Sequence, residues 1–430
     1  MSEFDPIAYI NEPRWQEVRP GLERTRELLY RMGRPQDKLK FVHVAGTNGK
    51  GSTCAYIASM LQAAGYRTGL FTSPYIIEFA ERIRVNGENI PADDLRDVTL
   101  FVREYAEAMA EAIGEHPTEF ELMTAVAFEH FARQKCDIVV CEVGLGGRLD
   151  STNIIDAPEV CVITRLGLDH TGFLGDTLEA IAGEKAGIIK PGSTVVSWPQ
   201  EDVAAMRVIE ETAQRNGCEL VVPDFDALMV RGVDKDGVRR FYYDGRLFLT
   251  RLLASYQPSN AVLAIEAVEA LRRRGWNIAY EPDMTGGIYQ AAWPGRFEVV
   301  STQAPTIIVD GGHNPQGARA LADSMRDVFP GRKATFVMSV LADKDYPAMI
   351  EEVLPLANAF VCVTPPSPRK LEAADLAEAI RVQANDPELR IEVAASFYEA
   401  IEKARQIAGQ GTICVFGSLY SIAEVKKALS

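Results

Sequence analysis

Residues 42–52 read VHVAGTNGKGS, and this stretch decides how the whole chain is interpreted. The apolar run before it has the composition of a buried strand, and a helical pattern follows from Thr53 to Ala64. Glycines let backbone N–H groups approach phosphate oxygens, and both the helix N-terminus and Lys50 add positive charge. The stretch therefore predicts a nucleoside triphosphate site formed by Gly46, Thr47, Asn48, Gly49, Lys50, Gly51 and Ser52.

The match to the general phosphate-loop pattern is incomplete. That pattern has a glycine where this chain has Val44, and a serine or threonine directly after the lysine, where this chain has Gly51. The alternative is an ordinary glycine-rich turn between a strand and a helix. The coincidence of strand, turn, lysine and helix favours phosphate binding.

Length and composition describe a two-domain globular enzyme. The chain has 430 residues, more than a single domain usually contains. Hydrophobic residues make up 47% and charged residues 24%, as in ordinary globular proteins. The net charge of −15 argues against nucleic acid or an anionic membrane as partner, because both attract basic surfaces.

The N-terminal residues and the cysteines indicate a cytoplasmic protein. Met1 to Asp5 lack the basic-then-apolar pattern of a signal peptide, and there is no run of about eighteen apolar residues. The seven cysteines form no C-x-x-C pair and mostly lie in apolar runs. We interpret them as small core residues rather than zinc ligands or disulfides.

Strand-like and helical patterns alternate along the first part of the chain, which predicts a mostly parallel α/β sheet. The predicted strands are 40–44, 68–71, 138–142, 160–164 and 194–197. The predicted helices are 52–64, 93–113, 120–134, 177–187 and 202–217.

A different pattern interrupts this alternation. Residues 228–249 predict a small antiparallel excursion with turns at Asp236-Gly237 and Asp244-Gly245. A helix is predicted over 259–274, and Trp293 to Arg296 is interpreted as a domain junction. A second α/β pattern follows, with predicted strands at 306–309, 335–339, 360–364 and 412–416.

Polar side chains follow several of the predicted strands in the first domain. Ser73 and His170 come after two of them and Glu142 ends a third, at the edge where ligands gather in parallel sheets. Such ligands suit Mg²⁺, which shares phosphate oxygens and keeps waters. The alternatives are a salt-bridged Glu142 and a structural His170. His43, inside its strand, is interpreted as a core residue.

Two other positions carry competing interpretations. Lys185 ends a helical run, and by itself that position is typical of a surface lysine. Asp310 and His313 follow the strand 306–309 directly before a helix that Asn314-Pro315 begins. They can hold a nucleotide or carboxylate at the helix N-terminus, or Asp310 can be a capping residue in a turn.

An ordered set of motifs resembles one known family, over nearly the whole chain. The motifs in the first half are GTNGKGS, TSPY-x₃-FAERIRVNG, EVGLGGRLD, LDHTGFLG and EKAGIIKPG. Those in the second half are QPSNAVLAIEA, WPGRFE, DGGHNP and LADKD. Together they resemble the folylpolyglutamate synthase and dihydrofolate synthase family, which is related to the Mur ligases.

The resemblance implies a fold and a reaction. It implies a mostly parallel α/β domain of the P-loop NTPase type over residues 1–294, and a smaller Rossmann-like α/β domain over 295–430. It also implies that ATP phosphorylates the γ-carboxylate of a folate, and that the amine of L-glutamate then displaces phosphate to form an amide.

The resemblance also assigns roles to residues. Lys50 neutralises phosphate, Ser73 and Glu142 hold one Mg²⁺, and His170 helps to hold a second. Lys185 matches a lysine that can be carbamylated, which makes it a metal-binding anion. Further residues are implied to contact ATP: Asn260, Arg296, Asp310 and His313.

Substrate contacts are assigned to two segments. The segment 73–84 carries Tyr75, Phe79 and Arg82 and is expected to bind the flat rings of folate; its alternative is an amphipathic surface helix. Many family members have Pro-His after the serine, whereas this chain has Pro74-Tyr75. Ser418 is expected to contact the incoming glutamate, although a strand-to-helix turn also favours serine there.

The motifs do not decide which molecule accepts the glutamate: a tetrahydrofolate, dihydropteroate or either of the two. A Mur ligase proper is disfavoured because only 45 residues precede Gly46. A nucleotide-binding switch without ligase activity is a further alternative, which the second domain and Asp310 speak against. The acidic composition and the lack of a heptad pattern predict a monomer.

Overall fold

The computed structural model describes residues 4–13 and 19–429, which form two compact units. The first takes in the chain up to Met229 with Tyr242–Phe248 and Ser259–Ala291. The second takes in Val230–Phe241, Leu249–Pro258 and the chain from Ala292 onward. The division of the chain into domains at residues 294 and 295 stays a prediction.

The first unit begins with alternating helices and strands. Its helices are α1 Pro6–Ile10, α2 Glu23–Arg31, α3 Lys50–Ala63, α4 Ala92–Ile113, α5 Glu119–Arg133, α6 Thr171–Leu174, α7 Leu178–Ala186 and α8 Val203–Arg215. Its strands are β1 Phe41–Ala45, β2 Thr68–Phe71, β3 Ile83–Val85, β4 Glu88–Asn89, β5 Ile138–Glu142, β6 Val160–Ile163, β7 Thr194–Ser197 and β8 Leu220–Val221.

These eight strands form one sheet in the order β4-β3-β2-β5-β1-β6-β7-β8. The neighbouring strands in the part β2-β5-β1-β6-β7-β8 are parallel. Strands β3 and β4 pair antiparallel and form one edge of the sheet. Strands β1, β5, β6 and β7 are buried along their whole length, as continuous apolar runs in a parallel sheet should be. The predicted mostly parallel sheet is confirmed.

The sequence missed the short strands and misplaced one helix start. Strands β3, β4 and β8 have two or three residues, too few to show a period. Helix α3 begins at Lys50 instead of Ser52, because Gly49 ends the turn with a positive φ of 90°. The lysine therefore stands in the first helical turn and not before it.

The predicted antiparallel excursion is confirmed. Strands β9 Leu228–Val233, β10 Arg239–Tyr243 and β11 Arg246–Thr250 form a three-stranded sheet. Asp244 and Gly245 join the last two strands with φ values of 49° and 71°, which a tight hairpin requires. Two more helices follow: α9 Gln257–Arg273, which belongs to the first unit from Ser259 onward, and α10 Thr285–Gln290.

The second unit has its own sheet. Its remaining strands are β12 Glu298–Ser301, β13 Thr306–Val309, β14 Ala334–Met338, β15 Ala357–Val363, β16 Arg390–Ala394 and β17 Thr412–Phe416. Its helices are α11 Pro315–Val328, α12 Tyr346–Val353, α13 Ala373–Ala384, α14 Phe397–Ala408 and α15 Leu419–Leu429. The strand order is β12-β13-β17-β14-β15-β16, parallel except at β12. The four predicted strands correspond to β13, β14, β15 and β17 and are confirmed, whereas the edge strands β12 and β16 were not predicted.

The cysteines agree with their interpretation as small core residues. All seven cysteines are free thiols, and six of them are buried. Among the helices of the described residues, none combines the length and apolar character needed to span a lipid bilayer.

Candidate active site

The glycine-rich turn after β1 is packed so tightly that only glycine fits at two positions. A Cβ at Gly46 would lie 1.8 Å from Thr164 Oγ1, at the end of β6. A Cβ at Gly49 would lie 2.6 Å from Asn260 Oδ1, on α9. The turn is thus enclosed by side chains far away in sequence, and Asn260 lies beside it as the resemblance implied.

Two charged residues meet where the turn enters α3. Lys50 Nζ donates to Thr47 O at 3.3 Å and lies 3.9 Å from Glu142 Oε1. Glu142 ends β5, and its register opposite Val44 of β1 brings its carboxylate to this place. The other carboxylate oxygen accepts a hydrogen bond from Ser73 N at 3.2 Å. The structure therefore places Lys50, Glu142 and Ser73 together at the carboxyl edge of the sheet.

Lys185 is buried rather than on the surface. Only 4% of the residue is exposed, and its Nζ donates to Gly46 O at 2.8 Å. Burial, together with the nearby positive charge of Lys50, lowers the pKa of Lys185 to about 7. The interpretation as a surface lysine is wrong, because the last turn of α7 packs against the loop that follows β5.

His170 stands at the start of α6 with a φ of 50° and an exposed side chain. Its Nε2 lies 3.8 Å from Asp169 Oδ2. His170, Asp169, Lys50, Lys185 and Gly144 line one cavity beside the turn. The cavity joins the three groups predicted to be catalytic.

No ready-made acidic metal site is present in residues 4–13 and 19–429. No group of three or more His, Cys, Asp or Glu side chains lies close enough together to hold an ion. Ser73 and Glu142 are in direct contact, and His170 lines the adjoining cavity. A bound Mg²⁺ would need phosphate or water oxygens in addition, as is usual for this ion.

The segment 73–84 is a turn followed by a short 3₁₀ helix, Phe79–Arg82, so its interpretation as an amphipathic surface helix is wrong. The Arg82 guanidinium lies 5.0 Å from the ring centre of Tyr75 and 5.3 Å from that of Phe79. Phe79 is buried in the core, whereas Tyr75 is exposed. The three residues predicted to bind substrate are thus neighbours, with Tyr75 the accessible one.

Glu81, which the sequence analysis did not single out, holds this segment in place. Its two carboxylate oxygens accept hydrogen bonds from Ile76 N at 2.9 Å and Ile77 N at 3.1 Å. Glu81 is buried, with 9% exposed. The available signal was a capping box at the start of the 3₁₀ helix, formed by Glu78 and Glu81.

In the second unit, Asp310, His313 and Ser418 lie in two turns that touch, and Arg296 precedes β12 next to Gly295, whose carbonyl accepts from Gly311 N at 2.8 Å. Asp310 accepts from Phe297 N at 2.8 Å and Gly312 N at 2.7 Å, and burial raises its pKa while Arg296 opposes the shift. Asn314, not Asp310, caps α11. Gly417 N donates to Gly312 O at 3.0 Å, which joins the turn after β17 to the turn after β13.

His313 and Ser418 are placed by backbone contacts in these turns. His313 Nδ1 lies 2.9 Å from Gly311 O, so this nitrogen carries the proton and donates. Ser418 is 2% exposed, and its Oγ accepts from Tyr420 N at 3.3 Å at the start of α15. The serine thus builds the helix start, whatever else it contacts.

Comparison with known proteins matches both parts of the chain. Residues 44–268 match the Mur ligase middle domain, and residues 295–419 match the glutamate ligase domain of Mur ligases. A dihydrofolate synthase/folylpolyglutamate synthase of Bacillus subtilis is 39% identical over 96% of this chain and 95% of its own length.

Solved structures agree along almost the full length. Mycobacterium tuberculosis folylpolyglutamate synthase complexed with ADP is 30% identical, covers 99% of both chains and has a TM-score of 0.88. Escherichia coli FolC in complex with DHPP and ADP is 29% identical, covers 98% of this chain and 96% of that one, and has a TM-score of 0.83. The chain therefore belongs to the folylpolyglutamate synthase and dihydrofolate synthase family of the Mur ligase superfamily, and it is an ATP-dependent ligase.

Proposed function

We propose that this ligase adds L-glutamate to the γ-carboxylate of a reduced folate and consumes one ATP in each cycle. The observation that carries the proposal is the meeting of Lys50, Glu142 and Lys185 at the glycine-rich turn. The family membership and the ADP complex of the Mycobacterium tuberculosis relative support it.

The reaction needs an activated acid. A carboxylate oxygen of the acceptor attacks the γ-phosphorus of ATP, the bond between that phosphorus and the bridging oxygen breaks, and ADP leaves. The glutamate amine then attacks the acyl phosphate carbon, releases inorganic phosphate and loses a proton. Positioning and charge neutralisation are what an enzyme supplies to such a transfer. We assign the neutralising charge to Lys50.

The residues beside the turn fit a magnesium ion. Glu142 offers a buried carboxylate and Ser73 a hydroxyl, which are hard oxygen donors of the kind that Mg²⁺ prefers. We propose that Ser73 and Glu142 hold one ion and that His170 helps to hold a second. When bound, Mg²⁺ neutralises phosphate charge and orients the phosphate oxygens.

Lys185 is suited to carbamylation. With a pKa of about 7, a large share of its side chain is a neutral amine at physiological pH, and only the neutral amine adds to CO₂. The product is a carbamate anion and a released proton. We propose that this anion replaces the buried positive charge and adds to the metal site.

The remaining roles follow from position and family. We propose that Asn260, Arg296, Asp310 and His313 contact ATP together with residues 46–52. We propose that Tyr75, Phe79 and Arg82 form the folate site, and that Ser418 contacts the incoming glutamate. We also propose a domain division at residues 294 and 295. The free thiols suit a cytoplasmic location.

Dihydropteroate is the second candidate acceptor. The Bacillus subtilis relative carries both activities in its name. Incubating the purified protein with ATP, labelled glutamate and either tetrahydrofolate or dihydropteroate separates the two acceptors. Labelled product from tetrahydrofolate supports the proposal. Labelled product from dihydropteroate alone would show that the enzyme is a dihydrofolate synthase instead. ATP hydrolysis that ignores glutamate and both acceptors would instead indicate a nucleotide-binding switch.

A further inference from the structure

Asn153 joins two segments that meet next to the phosphate loop. It lies in the short 3₁₀ helix Ser151–Ile154 and is 5% exposed. Its Nδ2 donates to Arg148 O at 2.9 Å and to Gly187 O at 3.1 Å. The first carbonyl belongs to the glycine-rich loop after β5, and the second directly follows α7. One side-chain amide therefore links the loop to the end of the helix.

The two linked segments are packed without spare room. Arg148 N donates to Glu184 O at 2.7 Å. A Cβ at Gly147 would lie 2.7 Å from the same carbonyl oxygen, and a Cβ at Gly187 would lie 2.4 Å from Arg148 Cβ. Such contacts leave no tolerance for an added methyl group. The loop and the last turn of α7 consequently have one relative placement.

That last turn carries Lys185, whose Nζ reaches Gly46 O at 2.8 Å. A lysine side chain is flexible, so the position of its ammonium group over the phosphate loop depends on where its backbone is held. Asn153 Oδ1 is buried and has no hydrogen-bond partner within the described residues, which is unfavourable by itself. The two donated bonds are thus what makes asparagine suitable at this position.

We propose that Asn153 is a positioning residue that holds Lys185 against the phosphate loop by tying the loop after β5 to the end of α7. The proposal rests on the proposed function for the role of Lys185 in the reaction. The placement of Lys185 itself does not depend on that role and can be tested separately.

The first test measures the accessibility of Lys185 in Asn153→Ala. The protein is acetylated with limiting acetic anhydride in CO₂-free buffer at one pH, and peptide mass spectrometry compares Lys185 with exposed Lys135. We expect the relative acetylation of Lys185 to rise at least about tenfold, since local opening exposes it. Equal protection in Asn153→Ala and the unsubstituted chain would overturn the proposal.

Ser151→Ala is the matched control. Ser151 lies in the same 3₁₀ helix and is buried, but its hydroxyl pairs with Thr124 Oγ1 at 2.8 Å, on α5. We expect Lys185 to stay protected in this variant. If Ser151→Ala exposes Lys185 as much as Asn153→Ala does, the effect is general loosening and the positioning role is refuted.

The second test is kinetic. We expect Asn153→Ala to lower kcat at least about tenfold while the KM for ATP changes less than about twofold, because a misplaced group affects the reaction more than binding. A higher KM with unchanged kcat would contradict the proposal.

Gly187→Ala separates the same two segments at the end of α7. It should reproduce both the higher acetylation of Lys185 and the lower kcat. If the unsubstituted chain forms no glutamate product, the proposed function fails. The acetylation experiment then still decides whether Asn153 positions Lys185.

Discussion

At the scale of single residues, two lysines approach one turn from different helices. Lys50 belongs to the first turn of α3 and Lys185 to the last turn of α7, and each donates to a carbonyl of residues 46–47. Their environments differ, and we therefore expect their roles to differ. Lys50 is partly exposed, with Glu142 nearby, whereas Lys185 is buried and close to losing its charge at neutral pH.

We predict that Lys50→Ala abolishes glutamate ligation but leaves the fold intact. The rate should fall at least about 100-fold, because a charge aimed at the transferred phosphoryl group is lost. The thermal unfolding midpoint should change little, since the side chain is partly exposed and makes a long hydrogen bond to Thr47 O and a loose ion pair with Glu142. Lys135→Ala, at an exposed position, is the control. Activity in Lys50→Ala equal to that of Lys135→Ala would refute the phosphate role.

We predict that Glu142→Gln raises the Mg²⁺ concentration needed for half-maximal activity at least about tenfold, because a charged oxygen ligand becomes neutral. The amide keeps an acceptor for Ser73 N. A magnesium titration of initial rates measures the effect. Glu179→Gln, an exposed carboxylate on α7, should titrate like the unsubstituted chain. A normal titration in Glu142→Gln would remove this residue from the metal site.

We predict that the buried His43 makes the stability of the folded protein depend on pH. It is fully buried, its Nε2 lies 2.9 Å from Thr152 Oγ1, and burial lowers its pKa to about 3. Below the ordinary value near 6.5, the unfolded chain binds a proton that the folded chain does not. Stability should therefore fall as pH decreases from about 6.5 towards 3, and His43 adds no slope above that window.

The measurement compares thermal unfolding midpoints at pH 7.5 and pH 5.0 for the unsubstituted chain and His43→Leu. We expect a smaller decrease in the variant. His130, whose pKa burial lowers to about 4, is present in both chains and cancels in the comparison. Equal decreases in the two proteins would show that His43 is protonated in the folded state.

At the scale of elements, the contact between α3 and α10 depends on one glycine. A Cβ at Gly287 would lie 2.4 Å from Met60 Cα and 2.7 Å from Met60 N, both backbone atoms of α3. Ser59 Oγ donates to Gly287 O at 2.7 Å across the same contact. The helix that carries Lys50 at its start is thus buttressed near its end by a backbone approach that excludes side chains.

We predict that Gly287→Ala destabilises the protein by about 3 kcal/mol, because overpacking against backbone cannot be relieved by a rotamer change. At its neighbour Gly286, in the same helix, an added Cβ would meet no atom within 4 Å among residues 4–13 and 19–429, the backbone of its own helix aside. Gly286→Ala should be neutral or stabilising by up to about 1 kcal/mol, since alanine favours helix. Chemical denaturation measures both. Similar stabilities for the two variants would contradict the close approach.

At the scale of the whole molecule, each unit is organised around a sheet of its own. The eight-stranded sheet carries the glycine-rich turn, and the six-stranded sheet carries the turns with Asp310 and Ser418. In both sheets several of the predicted functional residues lie at or just after the carboxyl ends of parallel strands, among them Glu142, Asp310 and Ser418.

We predict that the protein is a monomer in solution, because a net charge of −15 opposes self-association and the sequence has no heptad pattern. Light scattering after size exclusion should give a mass near 47.3 kDa. The value should persist in high salt, which screens the repulsion. A mass twice as large in either buffer would contradict the prediction.

The sequence by itself determined the α/β class, most of the strands and long helices, and the glycine-rich turn after β1. Apolar runs and helical periods are local signals, and the order of GTNGKGS, EVGLGGRLD and EKAGIIKPG identified the family. Local signals weaken as a segment becomes shorter, so the strands β3, β4 and β8 were missed. The edge strands β12 and β16 and the role of Glu81 were missed as well.

Only the tertiary structure decided which residues meet. Lys185 lies 139 positions from Gly46 along the chain, yet their atoms are 2.8 Å apart. Its burial and lowered pKa come from the packing of the α7 end against the loop after β5. Asn153 and Asn260 acquire their contacts in the same way, through strand order and close packing. Distances between segments are set by the fold as a whole, because no local pattern encodes which distant backbone will lie alongside.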